Sequence, residues 1–277
     1  MSSSPRSNRF CRGFVIQPPS PKEDKRKCVF CGTGKVTLEH IWPVWIGKVL
    51  DEKYGIQKWQ KIFPYKTFET KSLDSCVKRI CRVCNNGWMS DLEDETKPIL
   101  VPMMLADSPA IELTPAAQQT LATWALKTML MAAFLSPDAR TFPPPWIYSR
   151  FYRERRPPDY NAVIWTAAYQ GHLPQLTATV GTVDARKNYR YTADGIVVPE
   201  KTTSKAALGT LRILFTVFQV FVYGGYGVPM GHRSDGKVLH RIWPKQDISL
   251  VWPANRVALD DAGIEYLQSR AREIEPL

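Results

Sequence analysis

Two cysteine pairs, Cys28-Val29-Phe30-Cys31 and Cys81-Arg82-Val83-Cys84, bracket the tripeptide Glu39-His40-Ile41, and Asn85-Asn86 follows the second pair directly. Four thiolates in two CxxC pairs match a tetrahedral structural zinc site, which keeps no position open for catalysis. Gly32, after Cys31, lets the backbone turn back so that its amides reach the sulfur. The spacer from Gly32 to Ile80 holds 49 residues, against about 15–20 in a minimal zinc ribbon, so a substantial unit is inserted between the pairs. Hydrolysis of a phosphodiester needs a base to deprotonate water and a divalent ion to stabilise charge on the phosphoryl and leaving oxygens. Glu39 and Asn85 offer a carboxylate and an amide oxygen, a sparse oxygen set that suits Mg2+ or Mn2+. Taken singly, a histidine beside tryptophan is usually structural, a glutamate solvated and an Asn pair a turn. Their joint occurrence inside the cysteine bracket points to chemistry. Gly32-Thr33-Gly34-Lys35 lacks the spacing of a phosphate-binding loop.

The elements around these residues must bring them together. Neighbouring residues on a strand face opposite ways, so Glu39 and His40 can share a site only where the strand bends at its end, and Pro43 supplies that end. The pattern predicts a strand over 36–41, a short helix over 45–53 closed by Gly55, an insertion with one irregular strand over 59–73, and a second strand over 75–80. A helix over 82–96, stopped by Pro98, then projects Asn85 back towards the strands, with Trp88, Met89 and Leu92 as anchors. The order is strand, strand, helix. Asp91, Asp94 and Glu95 read as a solvated helix face, to which Glu93 adds a further candidate carboxylate for the site.

Beyond residue 100 the character changes. Thr114 as N-cap and Pro115 at the first helical position open a helix to Leu135, with Leu121, Trp124, Ala125, Met129 and Ala132 as its apolar stripe. A Pro-rich stretch carries Arg150, Arg153, Arg155 and Arg156, which fit either a phosphate-binding patch or a solvated loop. Strand-like runs follow at 162–169, 176–183, 188–192, 195–198, 237–243 and 248–252. The run 211–223 fits either a buried strand or a buried helix, and 259–272 reads as a closing helix. His172, His232 and His240 stand in unrelated contexts and read as structural or exposed.

The formal net charge of +11 is unevenly spread: residues 1–27 hold seven Lys and Arg against two acids. That Ser/Pro-rich segment reads as a flexible arm, suited either to a phosphate backbone or to solubility alone. No run approaches the roughly 18 apolar residues of a membrane helix, and residues 1–21 lack the apolar core of a signal peptide. The expectation is a cytoplasmic chain with no membrane partner, where CxxC pairs are metal ligands and Cys11 and Cys76 are free thiols.

The constellation Cys28, Cys31, Glu39-His40-Ile41-x-Pro43, Cys81, Cys84 and Asn85 resembles the HNH endonucleases of the ββα-metal fold in their zinc-knuckle form. The run Asn86-Gly87-Trp88-Met89-x-x-Leu92-Glu93 is similar to a subgroup of uncharacterised bacterial and phage HNH-like proteins. The resemblance spans about residues 28–96. It implies His40 as general base, Glu39 and Asn85 as ligands of a catalytic Mg2+ or Mn2+, a structural Zn2+ on the four cysteines, and DNA as substrate, with RNA as an alternative. Three positions depart from the family pattern: Glu39 stands where Asp is commoner, Leu73-Asp74-Ser75-Cys76 holds no Asn, and Trp88 replaces a lysine. The expected architecture is α+β: a basic arm over 1–27, an HNH-like zinc domain over 28–100, and a mixed α+β accessory domain over 101–277. Those departures also motivate an alternative, a catalytically silent zinc module that binds nucleic acid or a protein partner.

Overall fold

The computed structural model describes residues 27–277 apart from 57–58, 64–65, 71–74, 106–108, 136–142, 172–175, 187–189, 192–196, 199–202, 224–229, 233–235, 254–256, 270–273 and 277. The basic arm thus lies outside the described residues up to residue 26, as do Asp74 and His172. The fold is mixed α+β.

Strand β1 (Val36–His40) leads through Pro43 into α1 (Val44–Tyr54). Gly55 ends α1 in the left-handed conformation at φ 63°, its N–H returning to the Asp51 carbonyl. The insertion holds a hairpin of two strands where one was expected, β2 (Trp59–Phe63) and β3 (Lys66–Thr70). Next, β4 (Cys76–Cys81) pairs antiparallel with β1, in a register that sets His40 opposite Cys76 and Glu39 opposite Val77. A bulge lies between Thr37 and Glu39, the kind of irregularity that re-aims a side chain at a strand end.

After β4 come a single turn, α2 (Arg82–Cys84), a kinked turn over Asn85–Met89, and helix α3 (Ser90–Met104). Pro98 does not stop α3, which carries both Pro98 and Pro102 inside it. Pro98 and Asp94, whose carbonyl loses its partner, are both exposed, so water can take over that bond. At the far end the Thr216 hydroxyl donates to the Met103 carbonyl at 2.6 Å.

Strand β5 (Ile111–Leu113) precedes α4 (Pro115–Ala132), capped by Thr114, whose hydroxyl accepts from the Ala117 N–H at 3.2 Å. A helical turn over Ala133–Leu135 extends it. Every residue from Leu121 to Ala132 is buried, so α4 is wrapped on all sides rather than along one stripe. The Pro-rich stretch forms helix α5 (Pro145–Glu154), with Pro145 at its first position and Ile147, Tyr148 and Phe151 buried.

The remaining chain builds an antiparallel five-stranded sheet from β6 (Ala162–Ala168), β7 (Leu176–Arg186), β10 (Thr203–Ile213), β11 (Thr216–Tyr223) and β13 (His240–Trp243), in the order β13-β6-β11-β10-β7. The run 211–223 is therefore a hairpin, reversed at Leu214 with φ 51°. Three small ladders complete the strands: β8 (Arg190–Tyr191) with β9 (Val197–Val198), β12 (Met230–His232) with β15 (Ile274–Pro276), and β14 (Leu250–Trp252) with β5. The closing helix α6 (Asp261–Ser269) covers one sheet face and α4 the other. Gly209 lets α4 approach β10, since a Cβ there would fall 2.4 Å from the Met129 Cγ. No described helix is long and apolar enough to cross a membrane.

Candidate metal centres

The first centre is made by the two cysteine pairs. Cys28 and Cys31 stand in the turn before β1, Cys81 ends β4, and Cys84 closes α2. Their four sulfurs lie within 4.8 Å of one another, with Cys31 Sγ and Cys81 Sγ 3.6 Å apart. A tetrahedron with Zn–S bonds of about 2.3 Å has edges of about 3.8 Å, so the donor set and its spacing fit zinc. The Cys84 N–H donates to Cys81 Sγ at 3.5 Å, as sulfur knuckles require. Gly34, at φ 79°, packs on this centre: a Cβ would sit 2.9 Å from the Cys81 Cβ. Burial pushes the Cys28 and Cys84 thiols up. At Cys31 burial acts the same way, but hydrogen bonds with Thr33 and the neighbouring cysteines outweigh it and bring the thiol down to about 7. A bound cation would ionise all four, because it coordinates thiolates.

The second centre lies beside the first. Glu39, only 7% exposed, reaches its place from the end of β1, and its carboxylate accepts a hydrogen bond from the Asn85 side chain. Two further groups share its surroundings. Glu93, eight residues along from Asn85, and Lys127, from the middle of α4, act on Glu39 through their charges. The Lys127 Nζ donates to Glu93 Oε1 at 2.6 Å, and the lysine side chain is fully buried. Burial drives the Glu39 carboxyl up to about 7, with Glu93 adding to the rise and Lys127 and Asn85 opposing it. Glu39 and Asn85 thus meet through the Asn85 amide N–H, which donates to the Glu39 carboxylate. His40, half-buried, is the last residue of β1. It and Glu39 pair in regular succession with Cys76 and Val77, the bulge lying before Glu39. The ladder therefore sends the two side chains to opposite faces, and the bend expected between them is not there.

Lys127 escaped the sequence reading, although one signal was present. It is the single charge in the apolar run from Leu121 to Ala133, and a lysine held inside a core demands an anionic partner.

The arginines divide. Arg150 donates to Glu154 at 2.7 Å and to Asn161 at 3.1 Å, and Arg156 donates to Asp159 at 2.9 Å. Arg153 and Arg155 are exposed. The Arg155 guanidinium lies over the rings of Trp88 and Tyr152, 4.7 and 4.0 Å from their centroids. Trp88 in turn meets Phe30 edge-on at 5.3 Å and Phe151 at 5.7 Å, so α5 is packed against the cysteine turn.

Comparison with protein-family models, curated proteins and solved structures finds no match to this chain.

Proposed function

We propose that the protein is a zinc-stabilised, Mg2+- or Mn2+-dependent endonuclease of the HNH type that hydrolyses DNA phosphodiesters. One observation carries the reading: Glu39 and Asn85 are hydrogen-bonded to each other beside the four-cysteine cluster, with His40 next on the strand. Cys28, Cys31, Cys81 and Cys84 would hold zinc and lock β1 against the turn that carries Asn85. Glu39 and Asn85 would hold the divalent ion, which supplies stabilisation of the developing negative charge on the leaving oxygen when bound. His40 takes a proton from water as the water oxygen bonds to phosphorus and the bond to the departing oxygen breaks. Arg155, exposed and stacked on Trp88 and Tyr152, would meet a phosphate of the backbone.

A specific observation favours a second reading, a zinc module that binds nucleic acid without cutting it. The Lys127 ammonium, ion-paired with Glu93, already acts on Glu39 through its charge. Cleavage of supercoiled plasmid and of oligonucleotides separates the two. The nuclease reading expects nicking or cutting with Mg2+ or Mn2+, and a rate about 100-fold or more lower for His40→Ala. Equal rates for the two proteins would remove His40 from the reaction. Salt-dependent binding without cleavage of DNA or RNA would establish the silent module.

A further inference from the structure

We propose that Lys127 is a resident counter-ion that makes divalent-cation loading at Glu39 and Asn85 depend on a bound phosphodiester. The inference rests on reading Glu39 and Asn85 as the ion's ligands. Lys127 comes from the centre of α4, its ammonium bonded to Glu93 at 2.6 Å and its field felt at Glu39. A buried ammonium is tolerated only with a partner, and Glu93 provides it. Glu93 Oε1 is consequently engaged by Lys127.

The charges then decide the order of binding. Two carboxylates and one ammonium leave the cluster with at most one net negative charge. Mg2+ and Mn2+ give up their hydration reluctantly and commonly draw on one or two carboxylates plus substrate phosphate oxygens. An arriving divalent ion here meets Glu39, Asn85 and the repulsion of a fixed ammonium in a poorly solvated place. A phosphodiester brings the anionic oxygen that the cluster lacks, so ion and nucleic acid bind with positive coupling, each raising the other's affinity by the same factor. Lys127 is a positioning residue in this scheme, since it is too deeply buried to touch substrate.

The test is Mn2+ binding to the zinc-loaded protein, read by electron paramagnetic resonance, with and without a non-cleavable phosphorothioate DNA duplex. Glu39→Gln with the same duplex measures the Mn2+ that DNA holds alone. Wild type is expected to bind Mn2+ about tenfold or more tightly when the duplex is present. Lys127→Met removes the charge and keeps an unbranched stem, so it should bind Mn2+ tightly without DNA and gain little from it. Lys127→Arg keeps the charge and should keep the DNA dependence. Should Lys127→Met fail to fold, Glu93→Gln makes the opposite prediction, weaker Mn2+ binding even with DNA. A Glu39-dependent Mn2+ site indifferent to the duplex and to Lys127→Met would overturn the counter-ion proposal and leave the Glu39–Asn85 site standing. Mn2+ binding that is identical in wild type and Glu39→Gln throughout would overturn the site itself and the proposal with it.

Discussion

Glu39 ties the stability of the fold to pH. Its carboxyl moves from an ordinary 4.5 to about 7 on folding, chiefly through burial. The folded chain therefore holds a proton that the unfolded chain has lost over that interval. The contribution is fully present below about pH 4.5, is lost as pH rises through about 7, and stays constant above, because the buried carboxylate must then carry its charge. The size is on the order of 3 kcal/mol. Urea unfolding of zinc-loaded protein, without Mg2+ or Mn2+, should show wild type losing about that much between pH 5 and pH 8 relative to Glu39→Gln. Parallel pH profiles for the two proteins would place the proton elsewhere. The same residue shows how far the site was legible in the chain. Cys28, Cys31, Cys81 and Cys84 were readable as one cluster because CxxC spacing in two short segments marks them. The meeting of Glu39 with Asn85 follows from their places near the end of β1 and just after the second pair. Lys127 and Glu93 lie 34 positions apart and meet only through the packing of α3 on α4, which no local spacing encodes.

At the level of elements, the turn after Cys31 is a test of how tightly backbone form and metal affinity are joined. Gly32 and Gly34 both have positive φ, 73° and 79°, but only Gly34 stands against a ligand, 2.9 Å between its hypothetical Cβ and that of Cys81. Alanine at Gly32 bears the backbone strain alone, because nothing lies within 4 Å of its Cβ. Alanine at Gly34 adds a displacement of Cys81. Both variants should melt earlier, by about 1–3 kcal/mol of strain, while Gly34→Ala alone should yield its zinc to a chromophoric chelator at clearly lower concentration. Matching zinc affinities for the two variants would disconnect Gly34 from the centre. Elements with chemical punctuation were legible: Gly55 closes α1, and Thr114-Pro115 opens α4. Where punctuation misleads, the pattern failed. Pro98 sits inside α3 on its solvent-exposed side, Pro145 starts a helix within what reads as a loop, and Leu214 turns a hairpin with no glycine to mark it.

Across the whole molecule, α4 joins the cysteine region to the sheet. Trp124, fully buried, stands 6.5 Å from Trp42, just ahead of α1, and 6.1 Å from Phe218 on β11. One contiguous cluster of buried side chains runs from Cys28 and Phe30 through α4 to Trp243 and Trp252. The boundary expected near residue 100 falls within α3, whose end is tied to β11 by Thr216. A core shared in this way has no inexpensive plane of separation, because parting it would expose Trp42, Trp124 and Phe218 together. Zinc release and loss of sheet signal by circular dichroism should therefore share one midpoint in a denaturant titration. Trp124→Ala removes the contact on both sides at once, at a loss of about 3–5 kcal/mol, and should lower both signals by the same amount. Trp124→Phe keeps an apolar ring and should shift them less, still together. Two separate midpoints, with only the zinc signal moved by the substitution, would mean that the cysteine region folds as a unit of its own and that α4 merely leans against it.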